Sequence, residues 1–191
     1  MKHILLILIF LCAGIVQMPA SPLFFPTKLK ISHCLSQGVN HKELKEFYTS
    51  KLSPDERTKI AENLALQEAK SAYQSIECIR MSGLTKEEQV TLLADHSHHR
   101  ETKELMFSYY ENFLLSDEKT IRLSAFEEKN LRSFIEAKKE LLTRLHQAEV
   151  QSLSEKLLPI STFQNTYMAL FFQHWEFYQT APDFLKEGLF D

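Results

Sequence analysis

One stretch near the C-terminal end, Thr162 to Tyr178, constrains this chain more than any other. Phe163, Tyr167, Leu170, Phe171, His174, Trp175 and Tyr178 recur there at steps of three and four, the repeat of one helix face. Met168, Phe172 and Phe177 widen that face until the helix is apolar most of the way round. A helix of this kind is either buried in a bundle core or lines something apolar. Ser161 is placed to cap its start, and Pro159 ends whatever precedes it.

The rest of the chain has to cover that helix. Gly numbers only 4 and Pro only 6 in 191 residues, too few punctuators for a many-turned β fold. The expected fold is therefore all-α: a single-domain bundle of long antiparallel helices, with an apolar cavity as one outcome. The net charge is −3 and there is no basic run, which argues against a nucleic-acid partner.

Residues 1–20 read as a signal peptide and 21–191 as the all-α domain. Lys2 and His3 form a short positive start, and Ile4 to Val16 an apolar run too short to span a bilayer comfortably. Cleavage is expected after Ala20, with Gly14 as another point; an uncleaved anchor is the alternative reading. The protein is thus expected to be secreted. Cys12 would leave with that segment, and Cys34 and Cys78 would remain as an even pair, which points to one disulfide in an oxidising compartment. Two buried thiols are the other reading of the pair. No Asn-x-Ser/Thr sequon occurs.

After an arm from Ser21 to Asn40, a short helix is expected to about Leu52, with Leu44, Phe47 and Tyr48 on one side. Leu52-Ser53-Pro54-Asp55-Glu56 and Leu84-Thr85-Lys86-Glu87-Glu88 are both capping boxes, a hydroxyl followed three residues on by Glu. Leu115-Ser116-Asp117-Glu118 and Leu153-Ser154-Glu155 are looser versions, read as further helix starts. Between Pro54 and Met81, Ala61, Ala65, Ala69, Ala72, Ile76 and Ile79 form one face, and Gly83 supplies the stop. From Asp117 to Leu158, Phe126, Phe134, Ala137, Leu141, Leu145 and Ala148 fall in register, with a break near Ser124 or Ser152. Pro182 is expected to end order before an apolar tail of Phe184, Leu185, Leu189 and Phe190.

Chemistry-bearing patterns are sparse. Asp95 to Glu104 carries no apolar side chain and holds His96, His98 and His99. Two of these, or Asp95 with His99, share a helix face, but one helix cannot complete a tetrahedral site, so a polar face is the expected reading and no metal is assigned. There is no Gly-rich phosphate loop, Gly-x-Ser-x-Gly or His-Glu-x-x-His, and no enzyme or cofactor is expected. Aromatic surplus is the stronger signal: 14 Phe, 6 Tyr and 1 Trp suit a concave apolar site. In such a site Phe163, Tyr167, Phe171 and Trp175 would face inward, opposed by Phe107, Tyr110 and Phe113 and by Phe134, Leu141 and Leu145.

Several phrases at the two ends of the chain carry a family likeness. They are Ala20-Ser21-Pro22-Leu23, then Glu46-Phe47-Tyr48 running into Leu52-Ser53-Pro54-Asp55-Glu56-Arg57. Near the C-terminus come Leu153-Ser154 and Pro159-Ile160-Ser161-Thr162-Phe163-Gln164-Asn165. In these the chain resembles the fatty-acid- and retinol-binding proteins secreted by nematodes. It departs from that pattern in its histidine cluster, its two later cysteines and its aromatic C-terminal extension. The resemblance implies an α-only fold around a lipid cavity, a fatty acid or retinoid as ligand, and no catalytic residues; membrane contact during ligand transfer is compatible with it. The alternative is a secreted or periplasmic chaperone-like interaction module, metal-responsive in some versions. Leu84-Thr85-Lys86-Glu87-Glu88-Gln89 is similar to the Leu-Thr-x-x-Gln phrase of such proteins, with one residue too many.

Overall fold

Hydroxyl–glutamate pairs set three helix starts. Ser53 accepts from the Glu56 backbone N–H at 3.3 Å, while the Glu56 carboxylate accepts from the Ser53 N–H at 2.9 Å. Thr85 with Glu88 and Ser124 with Glu127 repeat the same reciprocal pair. Each box satisfies two backbone donors that a helix start otherwise leaves unpaired. The computed structural model describes residues 38–93 and 123–187. These form α1 (His41–Thr49), α2 (Pro54–Met81), α3 (86–93), α4 (Ala125–Ser154), α5 (Ile160–Thr180) and α6 (Asp183–Glu187). The fold is all-α, with no strand among the described residues.

Gly83 stops α2 with a φ of +74°, a left-handed conformation that costs glycine nothing. Ser124, one of the two places where the run from Asp117 is expected to break, is the N-cap of α4; residues 94–122 lie outside the described ones. Two boundaries differ from the sequence reading. Leu153-Ser154-Glu155 ends α4 instead of starting a helix: three hydrophobic or small steps, Leu145, Ala148 and Ser152, carry its buried stripe straight through. Pro159, not Ser161, stands at the N-cap of α5, with no side-chain cap bond. Pro suits this place because it has no N–H to leave unsatisfied. Order also continues past Pro182: α6 tucks Leu185 into the core at 1% exposure.

The aromatic helix α5 packs most extensively on α2 and next on α4. The alanine face of α2 makes this possible, since Ala61, Ala65 and Ala69 are fully buried in one cluster with Phe163, Tyr167 and Phe171. Small side chains let the two backbones approach, and each buried Phe then contributes about 1.5–3 kcal/mol. Arg57 of α2 meets Trp175, and five residues on Glu62 meets Gln164, so α5 runs counter to α2. The short connection at 155–159 folds α5 back along α4.

A second, smaller cluster closes the far end of the α4–α5 hairpin: Leu131, Phe134, Ile135, Phe177, Ala181 and Leu185. Two sequence expectations shift there. Phe126 is 65% exposed and Ala137 lies at the surface, although both fall near the helical register of the buried residues. The buried stripe runs instead through Leu131, Phe134, Ile135 and Lys138.

Candidate ligand groove

The stacked pair Phe134 and Phe177 locks the open end of the hairpin. Their ring centres are 4.1 Å apart and their planes 11° from parallel. Gln173 braces the same place, its Nε2 donating to the Phe134 carbonyl at 3.2 Å. Beside this floor lies a groove of about 410 Å³. Its walls come from one face of α4 (Phe126, Asn130, Ser133, Phe134 and Ala137) and one face of α5 (Gln173, Glu176, Phe177 and Thr180). Steps of three and four along both helices explain why these residues converge. The volume falls in the lower part of the range for small-molecule sites, about 300–1,000 Å³.

Of the residues that the sequence nominated, the structure brings Phe163, Tyr167, Phe171 and Leu145 into the main core, with Leu141 and Trp175 packed against it. Phe134 sits apart in the second cluster and is, among the described residues, the one nominated residue that lines the groove. Phe107, Tyr110 and Phe113, and the cluster His96, His98 and His99, lie outside the described residues. Cys78 is disulfide-bonded; Cys34, its expected partner, lies outside the described residues. The remaining groove residues carry no motif. Phe126 and Phe177 stood out in sequence only as members of helical faces, and Gln173 and Glu176 had no signal beyond their spacing.

Burial and charge elsewhere are spent on structure. Arg57, 5% exposed, donates to the carbonyls of Phe47 at 2.6 Å and Ser50 at 2.9 Å, capping the end of α1. Burial pushes the Tyr48 phenol far above its usual range, with the Glu68 charge adding to the effect. That phenol stays protonated at neutral pH. Among the described residues no group of three or more His, Cys, Asp or Glu is placed to hold a metal ion, and no helix is long and apolar enough to cross a membrane. No protein-family model matches the chain, and neither the curated proteins nor the solved structures compared with it give a match.

Proposed function

We propose that this protein is a secreted, non-enzymatic carrier of single-chain apolar ligands of the fatty-acid or retinoid class. The observation that carries this reading is the α4–α5 groove, which has an aromatic floor and the volume of a small-ligand site. Burying hydrocarbon on the Phe134–Phe177 floor stabilises a complex by about 0.8 kcal/mol per CH₂, less the cost of association. The likeness to the nematode fatty-acid- and retinol-binding proteins and the signal-like residues 1–20 support the same reading. The polar histidine stretch takes no part in it.

The test is native mass spectrometry of the secreted full chain, with organic extraction of whatever travels with it. A bound lipid at one per chain supports the carrier reading. A chain that comes through bare, and that takes up no fluorescent lipid added afterwards, overturns it. One observation favours a second reading. Phe126 is 65% exposed at the groove's edge, as an anchor for a protein partner would be. A bare chain that co-purifies with a stoichiometric protein would move that reading ahead.

A further inference from the structure

Two polar groups at the groove, Glu176 and the Gln173 amide oxygen, can only accept. Glu176 is the only charged residue among the described residues of the groove walls, and none of the ion pairs between described residues involves it. Gln173 adds an acceptor. Its Nε2 is committed to the Phe134 carbonyl, which can only accept, so the orientation of the amide is fixed. Its Oε1 is buried and has no hydrogen-bond partner. Asn130, Ser133 and Thr180 can act either way. No Lys or Arg among the described residues lines the groove; Lys138 is buried behind the floor, its Nζ 5.6 Å from the centre of the Phe134 ring.

From this we infer that the α4–α5 groove selects amphiphiles whose head donates hydrogen bonds, alkylammonium first and alcohol second, over those that carry a carboxylate. A carboxylate can only accept, so it would meet Glu176 as a like charge. Asn130, Ser133 and Thr180 could donate to it but bring no compensating positive charge, and the buried Gln173 oxygen becomes available to a donating head only if the amide edge opens to the groove. An ammonium head is attracted by Glu176 and brings three donors; a hydroxyl brings one donor without the charge. The apolar tail lies on the Phe134–Phe177 floor in every case. This inference rests on the carrier reading and narrows it: within the fatty-acid and retinoid class it favours alcohol-headed ligands over free fatty acids, because the head group, rather than the tail, decides the ligand.

The experiment titrates the full-length protein with dodecylamine, dodecanol and dodecanoate, below their aggregation limits, by calorimetry, and follows each mixture by native mass spectrometry. The same series is run on Glu176→Gln and Glu176→Lys. Glu176 is exposed, so both variants should fold as the parent does. The expected order is amine, then alcohol, then carboxylate, with about tenfold between the first and last, as befits charge effects at a half-solvated site. Glu176→Gln should bring amine and carboxylate close together, and Glu176→Lys should reverse their order, while dodecanol stays nearly constant through the series.

Failure of the inference and failure of the carrier reading look different. If all three compounds bind with similar affinity, or dodecanoate binds best and neither variant changes the order, the inference is overturned and the carrier reading stands. If none of the three binds, both fall. A second copy of the chain that excludes ligand from the groove, seen as a dimer in the same spectra, also overturns the inference.

Discussion

The guanidinium carbon of Arg57 stands 4.4 Å from the centre of the Trp175 ring. With its guanidinium over the indole and its two terminal nitrogens donating to the carbonyls of Phe47 and the C-cap Ser50, Arg57 ties α1, α2 and α5 together at one point. Cation–π attraction of this kind strengthens when the charge is shielded from water. The lone tryptophan is therefore a structural clamp, on a different face of α5 from the groove residues Gln173, Glu176 and Phe177.

Replacing Arg57 by Met should cost about 2–4 kcal/mol, because it strands the Phe47 and Ser50 carbonyls. A double-mutant cycle of Arg57→Met with Trp175→Ala should return a coupling of about 0.5–2 kcal/mol in urea unfolding. Additive losses would show that the stacking contributes nothing beyond each residue's own packing.

A side chain larger than alanine at Ala65 should destabilise the α2–α5 contact. Ala65 is fully buried against the aromatic cluster, so Ala65→Leu is expected to cost about 1–3 kcal/mol, read from the midpoint of thermal or denaturant unfolding. The same change at exposed Ala137 should leave stability within about 0.5 kcal/mol.

The capping boxes predict an acid-dependent loss of stability. The Ser53 hydroxyl, and then its backbone N–H, hold the Glu56 carboxyl below its usual range; Ser124 does the same to Glu127. A carboxyl with a folded pKa below its unfolded one stabilises the fold above the unfolded value, and that contribution is lost as pH falls through the folded value. Ser53→Ala and Ser124→Ala should therefore lower the melting temperature most near neutrality. The gap to the parent should narrow as the pH is brought down through the carboxylate range.

At the far end of the bundle, two cations close the C-terminus of α4. Arg80 donates to the Ser152 carbonyl at 3.1 Å and Lys86 to the Ser154 carbonyl at 3.0 Å, from either side of Gly83. Positive charge is favoured at a helix C-terminus by about 0.3–1 kcal/mol per group. The double change Arg80→Ala and Lys86→Ala should cost about 1–2 kcal/mol, and added salt should shrink the difference from the parent. Salt-independent loss would mean that packing of the long stems, rather than charge, makes the contact.

Much of the fold was legible because it is written in local rules. The hydroxyl–glutamate spacing at Ser53 and Thr85 placed helix starts, Gly83 placed a stop, and the alanine register from Ala61 to Ala72 marked the face that receives the aromatic helix; the third box, at Ser124, was read from sequence only as a break. The candidate site was less legible. Its residues fall on two helices about forty positions apart, and only the register of the α4–α5 hairpin decides that Phe134 meets Phe177. The same register explains Phe126: periodicity assigns it near the buried face, but α4 outruns its partner there and leaves the ring at the groove's edge. Aromatic count alone could not separate core from site. Most of the rings on α5 are spent on the alanine face of α2, and the groove uses Phe177 near the other end.

The central claim is that an apolar ligand occupies the α4–α5 groove. It is tested most directly by photo-crosslinking the full-length protein with a long-chain alcohol carrying a diazirine in its tail, and mapping the labelled peptides by mass spectrometry. The account predicts label within residues 126–137 and 173–180, displaced by unlabelled alcohol and reduced by Phe126→Ser and by Ala137→Glu. Specific, displaceable label confined to other segments, or no displaceable label at all, would contradict it.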